Sequence, residues 1–527
     1  MNSIAPFRGK AFFVPAGVFL FALGALFFSA CDVLNNPIKE DIEYNLSLHP
    51  VKSWTELESA IDAVPPGGRG TFTLMTDIEI SSPKTITGKT VALEAYAGTK
   101  GTMTIRRTPG TAGSFFTVNS GGKLTLGGNR DPGTLVLDGE GAGADPLVEV
   151  TGGNLTLNGG AELRNNGTTG VDISGSGSSF TMNGGTISEN AGNGVRTGSG
   201  ATFIMNGGTI SGNTVNDGAV SLNSDSFIMN GGSISGNSAP VPLSSSGCSG
   251  VTMGNSTFTM RGGTISGNNA WRGGGVNMNN HSTFIMYEGS ITGNNAWETS
   301  DDGGGGGVFL NLDGGTFEMR GGTISGNTAE YGAGVYVQFT TTFTMRGGTV
   351  AGNRAGDKGG GVYVQYDRDW YGSAGIFEMY GGSVTGNTAV SNGGGVYLQG
   401  DSAKPDGGKL TMSGGTIGGN TAVNGAGVYA GDPNAHFTMS GSAAALSNNI
   451  VYLSGGRTIA VTGALNPPGG IAAVIKSPGG PGTILVTGES PYVLTAADVG
   501  KFRYDNAGTP TPLVFSSTPS EAGSVPP

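Results

Sequence analysis

The chain has 527 residues, of which 101 are glycine and only 12% are charged, and its formal net charge is −11. The glycines lack the G-X-Y period of collagen, and the regular apolar pattern argues against a disordered chain. No basic cluster accompanies the acidic balance, which argues against a nucleic-acid partner. The two cysteines, Cys31 and Cys248, allow at most one disulfide, so a disulfide framework is excluded.

The first thirty residues have the composition of a secretory signal. Arg8 and Lys10 precede an apolar run over residues 11–28, and small residues lead up to Cys31. The segment resembles a bacterial lipoprotein signal, in which the cysteine is lipidated and becomes the new amino terminus. A lipidated Cys31 would anchor the secreted chain to the cell envelope, at the outer membrane or the cell surface. A membrane-spanning helix is the alternative interpretation.

Residues 31–50 are polar and aperiodic, which predicts a tether. Ser53-Trp54-Thr55-Glu56 then has the spacing of a capping box, and apolar residues follow on one helical face up to Pro65-Pro66. We expect a short helix here that covers the first coil, because an uncovered end would expose strand edges and the apolar interior. Residues 51–175 therefore hold a cap and irregular coils.

One motif is repeated ten times within residues 176–449. The copy over 343–353 reads FTMRGGTVAGN, and after a spacer it closes with GGGVYV over 359–364. In the first nine copies an asparagine stands eight residues after the methionine, from Asn190 to Asn420, and in the last copy it drifts to Asn448. The aligned methionines are Met182, Met205, Met229, Met260, Met286, Met319, Met345, Met379, Met412 and Met439.

Apolar and polar residues alternate within each copy, which predicts strands. We expect three short strands, Phe-x-Met, Thr-Ile-Ser and Val-Tyr-Val, separated by glycine turns. Each strand can pair with its counterpart one coil away at about 4.8 Å. The predicted fold class is all-β, a single-stranded right-handed parallel β-helix of about fifteen coils with a short N-terminal capping helix. The asparagines would form an amide ladder at one corner.

The end of the chain departs from the repeat. Residues 450–507 alternate Val, Ile and Leu between Pro-Gly turns and predict the last coils or a cap. Residues 508–527 are rich in Pro, Ser and Thr and predict a disordered tail.

The repeats resemble those of known families. ISGNTAEYGAGVY over 324–336 and VTGNTAVSNGGGVY over 384–397 resemble the paired FxxN and GGA[ILV] repeats of chlamydial polymorphic membrane proteins. More broadly, roughly residues 50–500 are similar to the pectate-lyase-like right-handed β-helix superfamily. The resemblance implies a fold but no single function, because this architecture hosts lyases, hydrolases, adhesins and phage tailspikes.

A candidate binding face follows from the Val-Tyr-Val strands. If the valines point inward, the middle residue points outward, one coil apart in successive copies. The expected exposed strip consists of Phe309, Tyr336, Tyr363, Tyr397, Tyr429 and Tyr452, with Asn311, Gln338, Gln365 and Gln399 at the next outward position. Exposed aromatic and amide side chains suit a carbohydrate or an extended polypeptide. A structural ladder that stiffens the sheet is the alternative.

Two sets of turns are expected to flank this strip. In the first set, Trp271 and Trp297 stand at equal distance from their methionines and should be neighbours on adjacent coils. The other members of the first set are Glu298, Asp301, Asp302, Glu330 and Tyr331. The second set consists of Asp367, Arg368, Asp369, Trp370, Tyr371, Asp401, Lys404, Asp406, Asp432 and His436. Tolerated insertions in polar turns are the alternative explanation for both sets.

No catalytic residue is assigned. Glycoside hydrolysis needs two carboxylates, for which Asp367 with Asp369 or Asp301 with Asp302 are candidates. The resemblance to polysaccharide lyases implies Ca²⁺ held by acidic residues and a basic residue such as Arg368 or Lys404, but no spacing selects them. We expect no cofactor and no metal; in particular, the absence of the calcium-binding nonapeptide argues against Ca²⁺ bound along the repeats. The three histidines, His49, His281 and His436, are far apart in the sequence and make no zinc pattern.

The leading hypothesis is a lipid-anchored cell-envelope protein, an adhesin-like or glycan-binding surface protein. Its expected partners are the membrane, through Cys31, and a host protein or glycan, and we expect a monomer. One alternative is a polysaccharide lyase or glycoside hydrolase of the pectate-lyase-like class. Another is a passive structural surface protein.

Overall fold

A computed structural model describes residues 49–96, 101–128, 133–215, 217–239, 247–300, 303–311, 314–366, 373–404, 406–445, 449–506, 508–516 and 522–525. The described residues all belong to one compact unit. The predicted signal segment with Cys31, the predicted tether up to residue 48, and Trp370 lie outside them.

The described chain is an all-β parallel β-helix, as predicted. Each regular coil contributes one strand to each of three long sheets, which we name A, B and C, and each strand pairs in parallel with its counterpart in the next coil. Sheet A, with 19 strands, holds the Phe-x-Met strands. Sheet B, with 14 strands, holds the Thr-Ile-Ser strands, and sheet C holds the Val-Tyr-Val strands.

The strands of sheet A are His49–Val51, Arg69–Leu74, Thr90–Ala95, Lys123–Leu126, Asn154–Leu157, Ser179–Met182, Thr202–Met205, Ser226–Met229, Thr257–Met260, Thr283–Met286, Thr316–Met319, Thr342–Met345, Ile376–Met379, Lys409–Met412, His436–Gly441, Ile459–Leu465, Ile484–Gly488, Val514–Ser516 and Ala522–Ser524. Those of sheet B are Ile78–Ile80, Thr102–Arg107, Thr134–Ala142, Ala161–Asn166, Thr186–Ser188, Thr209–Ser211, Ser233–Ser235, Thr264–Ser266, Ser290–Thr292, Thr323–Ser325, Thr349–Ala351, Ser383–Thr385, Thr416–Gly418 and Ala444–Ala445.

The strands of sheet C are Lys84–Ile86, Phe116–Asn119, Val148–Thr151, Val171–Ser174, Val195–Gly198, Val220–Asn223, Val251–Gly254, Val276–Asn279, Val308–Leu310, Val335–Val337, Val362–Val364, Val396–Leu398, Val428–Ala430, Ile450–Leu453, Ala473–Lys476, Phe502–Asn506 and Thr509–Pro512. A short fourth sheet, D, lies in the turn between sheets B and C and consists of Asn269–Ala270, Asn295–Ala296, Thr328–Tyr331, Arg354–Lys358 and Thr388–Ala389. The helices are Trp54–Ala63 and Ala496–Val499, with a 3₁₀ turn at Pro468–Gly470.

The interior is filled by residues at the same motif position in every coil. Phenylalanine rings of sheet A stack from Phe180 to Phe377, with centroids 4.6 to 5.0 Å apart and planes inclined by 4 to 8°. The eight aligned methionines from Met182 to Met379 each pack against a glycine in the turn of the next coil, so that a Cβ at Gly348 would lie 2.7 Å from Cε of Met319. Gly348 also has a φ of 82°, which favours glycine. The Met-x-Gly-Gly pattern therefore reflects both packing and backbone conformation.

Buried asparagines form the predicted amide ladder. The side-chain Nδ2 of Asn353 donates to Oδ1 of Asn387 at 2.9 Å and to the carbonyl oxygen of Ile324 at 3.0 Å. The backbone N–H of Asn353 donates to the same Oδ1 at 3.0 Å. Successive rungs are Asn190, Asn213, Asn237, Asn268, Asn294, Asn327, Asn353, Asn387, Asn420 and Asn449. Each amide is thus paired with its neighbours in the coils before and after it.

The last rung corrects the sequence alignment. Asn420 donates to Asn449 at 2.7 Å, whereas the alignment predicted Asn448, which lies outside the described residues. Sheet B pairs Ile417 with Ala445, so the last copy carries one extra residue between its methionine and sheet B, and a second extra residue between sheet B and the asparagine.

The predicted capping helix closes the first coils. Ser53 accepts a hydrogen bond from the backbone N–H of Glu56 at 3.2 Å, as the capping-box spacing predicts. The Glu56 carboxylate accepts from the backbone of Lys52 at 2.7 Å. The buried face of the helix consists of Trp54, Leu57 and Ile61, which join the interior core.

Both ends of the solenoid differ from the prediction. The first strand begins at His49, within the predicted tether, because it pairs with Phe72 in the next coil. The prediction of a disordered tail is wrong for the described part of residues 508–527, which forms three antiparallel strands against the last coils. Leu513 and Val525 are buried there, so apolar contacts order a segment whose proline content suggested disorder.

The amide ladder can be tested by one substitution. We expect Asn353→Ala to lower the free energy of unfolding by about 3 kcal/mol or more, because buried partners in two neighbouring coils lose hydrogen bonds. Urea denaturation followed by circular dichroism measures the change. The control is Asn206→Ala, which removes an exposed amide bonded to Asn183 at 2.9 Å and should cost less than about 1 kcal/mol. Equal costs for the two variants would contradict the assignment.

Candidate functional site

The middle residues of the Val-Tyr-Val strands form the predicted aromatic file. The register of sheet C places them on successive coils. The members are Phe309, Tyr336, Tyr363, Tyr397, Tyr429 and Tyr452. Neighbouring tyrosine rings stack with centroids 4.8 to 5.2 Å apart. The file forms a cluster separate from the interior core, so these side chains point away from the interior.

The expected exposure of this file is wrong for its first four members. Phe309, Tyr336 and Tyr363 are fully buried, and Tyr397 is only 3% exposed. The cover is the glycine-rich turn before each strand: a Cβ at Gly304 would lie 2.8 Å from the ring of Tyr336. Glycine has no side chain, so its backbone can lie directly on the rings. The glycine runs therefore cover the aromatic file as well as turning the chain.

The amides at the next outward position are covered too, contrary to expectation. Gln338, Gln365 and Gln399 are 5%, 0% and 9% exposed. The chain that returns to sheet A pairs with them, since Gly375 donates its N–H to the carbonyl oxygen of Gln365 at 2.9 Å. Asn311 is half-buried. These side chains therefore add little to an exposed face.

The aromatic file opens only at its last two members. Tyr429 and Tyr452 are half-buried, with rings 5.2 Å apart and nearly parallel. Beside them, Asp432 accepts a hydrogen bond from the hydroxyl of Tyr397 at 2.5 Å. Burial, and then the charge of Asp432, raise the pKa of Tyr429 to about 12. Burial also raises the pKa of Asp432, and the nearby ammonium of Lys358 opposes that rise.

The first set of turns meets as predicted. The backbone N–H of Trp297 donates to the carbonyl oxygen of Ala270 at 3.1 Å, and that of Glu298 to Trp271 at 2.9 Å, so the two tryptophans lie on adjacent coils. Trp271 is half-buried, with the guanidinium of Arg272 4.5 Å from its ring centroid. Trp297 is 37% exposed. Of the first set, Trp297 thus offers the most accessible indole.

Trp297 stands beside a shallow pocket on sheet D, about 240 Å³ in volume. The pocket is lined by Asn295, Trp297, Glu298, Thr328, Glu330 and Arg354, together with neighbouring backbone. Glu298 is only 7% exposed and lies 3.6 Å from Arg272. The carboxylate of Glu330 lies against Gly356, where a Cβ would be only 2.2 Å away. Gly356 thus makes room for an acidic side chain at the pocket.

The second set of turns is also brought together in part. Asn434 donates from Nδ2 to the carbonyl oxygens of Asp401 at 3.2 Å and Lys404 at 2.5 Å, so two inserts on adjacent coils pack on each other. Asp406 forms an ion pair with Lys409 at 3.4 Å. The insert with Trp370 lies outside the described residues.

An exposed row of arginine and tyrosine side chains was missed by the sequence reasoning. It occupies the position after five successive aligned methionines: Arg261, Tyr287, Arg320, Arg346 and Tyr380. The guanidinium of Arg320 lies 5.0 Å from the Tyr287 ring centroid, and that of Arg346 lies 4.9 Å from Tyr380. Glu318 bridges both arginines, and the hydrogen bond from Arg320 is the main cause of its lowered pKa. The methionine alignment carries this signal, since all five residues directly follow an aligned methionine.

The remaining candidates form no catalytic group in the described ranges. Asp301, Asp302, Asp367, Arg368 and Asp369 lie outside them. Cys248 is a buried thiol whose pKa burial raises to about 12, so it stays protonated. Within the ranges that the structure describes, no three His, Cys, Asp or Glu side chains lie close enough together to hold a metal ion.

No protein-family model, no curated protein and no solved structure matches this chain. Among the described residues, no helix combines the length and the apolar composition needed to cross a membrane.

Burial of the aromatic file predicts a structural effect. We expect Tyr363→Ser to lower the free energy of unfolding by about 3 kcal/mol or more, because it empties a fully enclosed ring position. Tyr452→Ser, at the half-exposed end of the same file, is the control and should cost about half as much or less. Thermal and urea denaturation measure both changes. Wild-type stability of Tyr363→Ser would mean that the turns do not enclose the ring.

The raised pKa of Tyr429 predicts a change at alkaline pH. A tyrosine whose folded pKa exceeds its unfolded value of 10.0 stabilises the fold fully below pH 10, and that contribution is lost as pH rises towards about 12. We therefore expect the difference in phenolate absorbance between the wild type and Tyr429→Phe to titrate with a midpoint near pH 12. Between pH 9 and 12, the free energy of unfolding should fall less steeply for Tyr429→Phe than for the wild type. If the absorbance that is lost in Tyr429→Phe instead has its midpoint near pH 10, the burial of this hydroxyl is contradicted.

Proposed function

We propose that this chain is a lipid-anchored cell-envelope protein that binds glycans through the Trp297 pocket. The observation that carries the proposal is the exposed indole of Trp297 beside a pocket lined by polar side chains. The covered aromatic file cannot serve as the stacking surface without opening of its glycine turns. The proposed binding surface therefore lies on sheet D and not on sheet C.

The pocket has the chemistry that sugars need. An exposed indole offers an apolar face on which the C–H face of a pyranose ring can stack. Asn295 and Thr328 supply an amide and a hydroxyl, and Glu330 with Arg354 supplies an acceptor and a donor. A few placed polar groups beside an aromatic surface can orient a ligand with many hydroxyl groups.

The pocket is also held in place. Its residues come from three successive coils of sheet D, whose strands pair in parallel. Next to Trp297 in the chain, the Glu298 carboxylate accepts from the backbone N–H of Ser300 at 2.9 Å and faces Arg272. Supporting contacts of this kind limit the movement of a binding side chain and so reduce the entropy lost on binding.

Anchoring through Cys31 completes the proposal. After secretion, lipidation of Cys31 would attach the monomeric chain to the outer membrane or the cell surface. The likeness of the repeats to chlamydial polymorphic membrane proteins and to the pectate-lyase-like superfamily supports a role in presenting a surface. The parallel coils support it as well, because stacked repeats provide an extended surface for a polymer.

A glycan array tests the proposed function. We expect Trp297→Ala to reduce the signal of any bound glycan by about tenfold or more, because a stacked aromatic contact is lost, and Trp297→Phe to retain part of it. The matched control is Tyr96→Ala, which removes an aromatic side chain that is 49% exposed in an early coil. Full binding by Trp297→Ala, or an equal loss in Tyr96→Ala, would refute the assignment of this pocket.

A further inference from the structure

A groove outside the Trp297 pocket lies over the earlier coils of sheet C. Its volume is about 460 Å³, and its walls include Arg196, Asp217, Ser221, Leu222, Thr252 and Asn279. Ser221 and Thr252 occupy the outward position that the tyrosines occupy in later coils. This outward position of sheet C is therefore polar in the coils at the groove and aromatic in later coils.

The floor of the groove holds polar atoms without partners. One carboxylate oxygen of Asp217 accepts from the Ser221 hydroxyl at 3.3 Å, whereas the other is buried and unpaired among the described residues. Thr252 is 5% exposed, and its hydroxyl faces this carboxyl group: the contact partly offsets the raised pKa of Asp217, although its geometry is not that of a normal hydrogen bond. Buried polar groups in native proteins are nearly always paired. The unpaired carboxylate oxygen of Asp217 therefore indicates a ligand that supplies a hydrogen-bond donor to this groove.

The charge around the groove indicates which kind of donor. Glu149 and Asp172 precede Arg196 in the same outward row of sheet C. Arg196 is engaged by Asp172 in an ion pair, so it does not neutralise Asp217. Burial is the main cause of the raised pKa of Asp217, since no cation compensates the carboxylate. A cationic ligand would match both the local field and the unpaired oxygen.

We propose that this groove binds a primary ammonium group, carried by a free diamine or by a lysine side chain, with Asp217 as its ion-pair partner. The Thr252 hydroxyl, which also lines the groove, supplies a second acceptor. An ammonium has three N–H donors, which suits neighbouring acceptors on one floor. A calcium ion would need six or more oxygen ligands, and the described residues place only Asp217 as a carboxylate in the wall of this groove.

Calorimetric titration of the full mature chain tests the proposal. The probes are pentane-1,5-diamine, N-acetyl-lysine methylamide and the neutral pentane-1,5-diol, which matches the diamine in length. We expect at least one amine to bind and the diol to bind about tenfold more weakly or not at all, because only the ammonium pairs with a carboxylate. Binding of the free diamine alone assigns a small amine, whereas binding of both assigns the lysine side chain as well.

Three substitutions distinguish the ion pair with Asp217 from the general negative potential around the groove. Asp217→Asn should weaken amine binding by about tenfold or more, and Thr252→Val by severalfold. Glu149→Gln removes a nearby negative charge outside the groove wall and should change affinity by less than about threefold. Affinity should rise with pH as the proton leaves Asp217.

Some results would overturn the proposal. These are equal binding of the diol, unchanged amine binding by Asp217→Asn, or no binding of either amine. Trp297→Ala should leave amine binding unchanged, so failure of the glycan proposal and failure of this one are distinguishable.

Discussion

Hydrogen bonds between successive asparagine amides set the register on which the rest of the structure depends. Each amide lies inside a corner, where an unpaired group would cost about 1 to 3 kcal/mol. Its oxygen accepts two N–H groups from the preceding coil, and its nitrogen donates to the following one. A coil shifted by one residue would break these bonds and move every apolar side chain to the wrong face. The phenylalanine and methionine stacks follow from the same register.

Because the interior residues repeat in successive coils, the outward-facing residues at equivalent positions can differ from coil to coil. One row of sheet C carries Ser221 and Thr252 in the earlier coils and Tyr336 and Tyr363 in the later ones. The backbone beneath them is the same in both regions. The surface chemistry of this solenoid can therefore change from coil to coil, because the interior does not constrain the outward-facing side chains.

Turn residues decide which outer side chains reach solvent. A glycine turn lies over the ring of Tyr336, and another lies against Cβ of Tyr363, so these buried residues stabilise the fold instead of presenting a surface. Trp297 directly follows a strand of sheet D, and its indole stays exposed beside Glu330. The two proposed binding regions differ accordingly: one combines an aromatic platform with polar groups, and the other is an acidic groove without an aromatic ring.

The sequence by itself determined the parallel β-helix, the three strands of each coil, the amide ladder and the capping helix. It could do so because these features repeat or follow local spacing, as in the aligned methionines and the step from Ser53 to Glu56. The meeting of Trp271 and Trp297 followed from the same register.

Only the tertiary structure decided burial outside the core. Alternation places Tyr336 on the outer side of its strand, but it cannot show that a glycine turn from a neighbouring coil closes over the ring. Nor does proline content reveal that residues such as Leu513 find apolar contacts in the last coils. Strand pattern is a local property, whereas exposure depends on which distant backbone covers a side chain, and that is settled only when the coils stack.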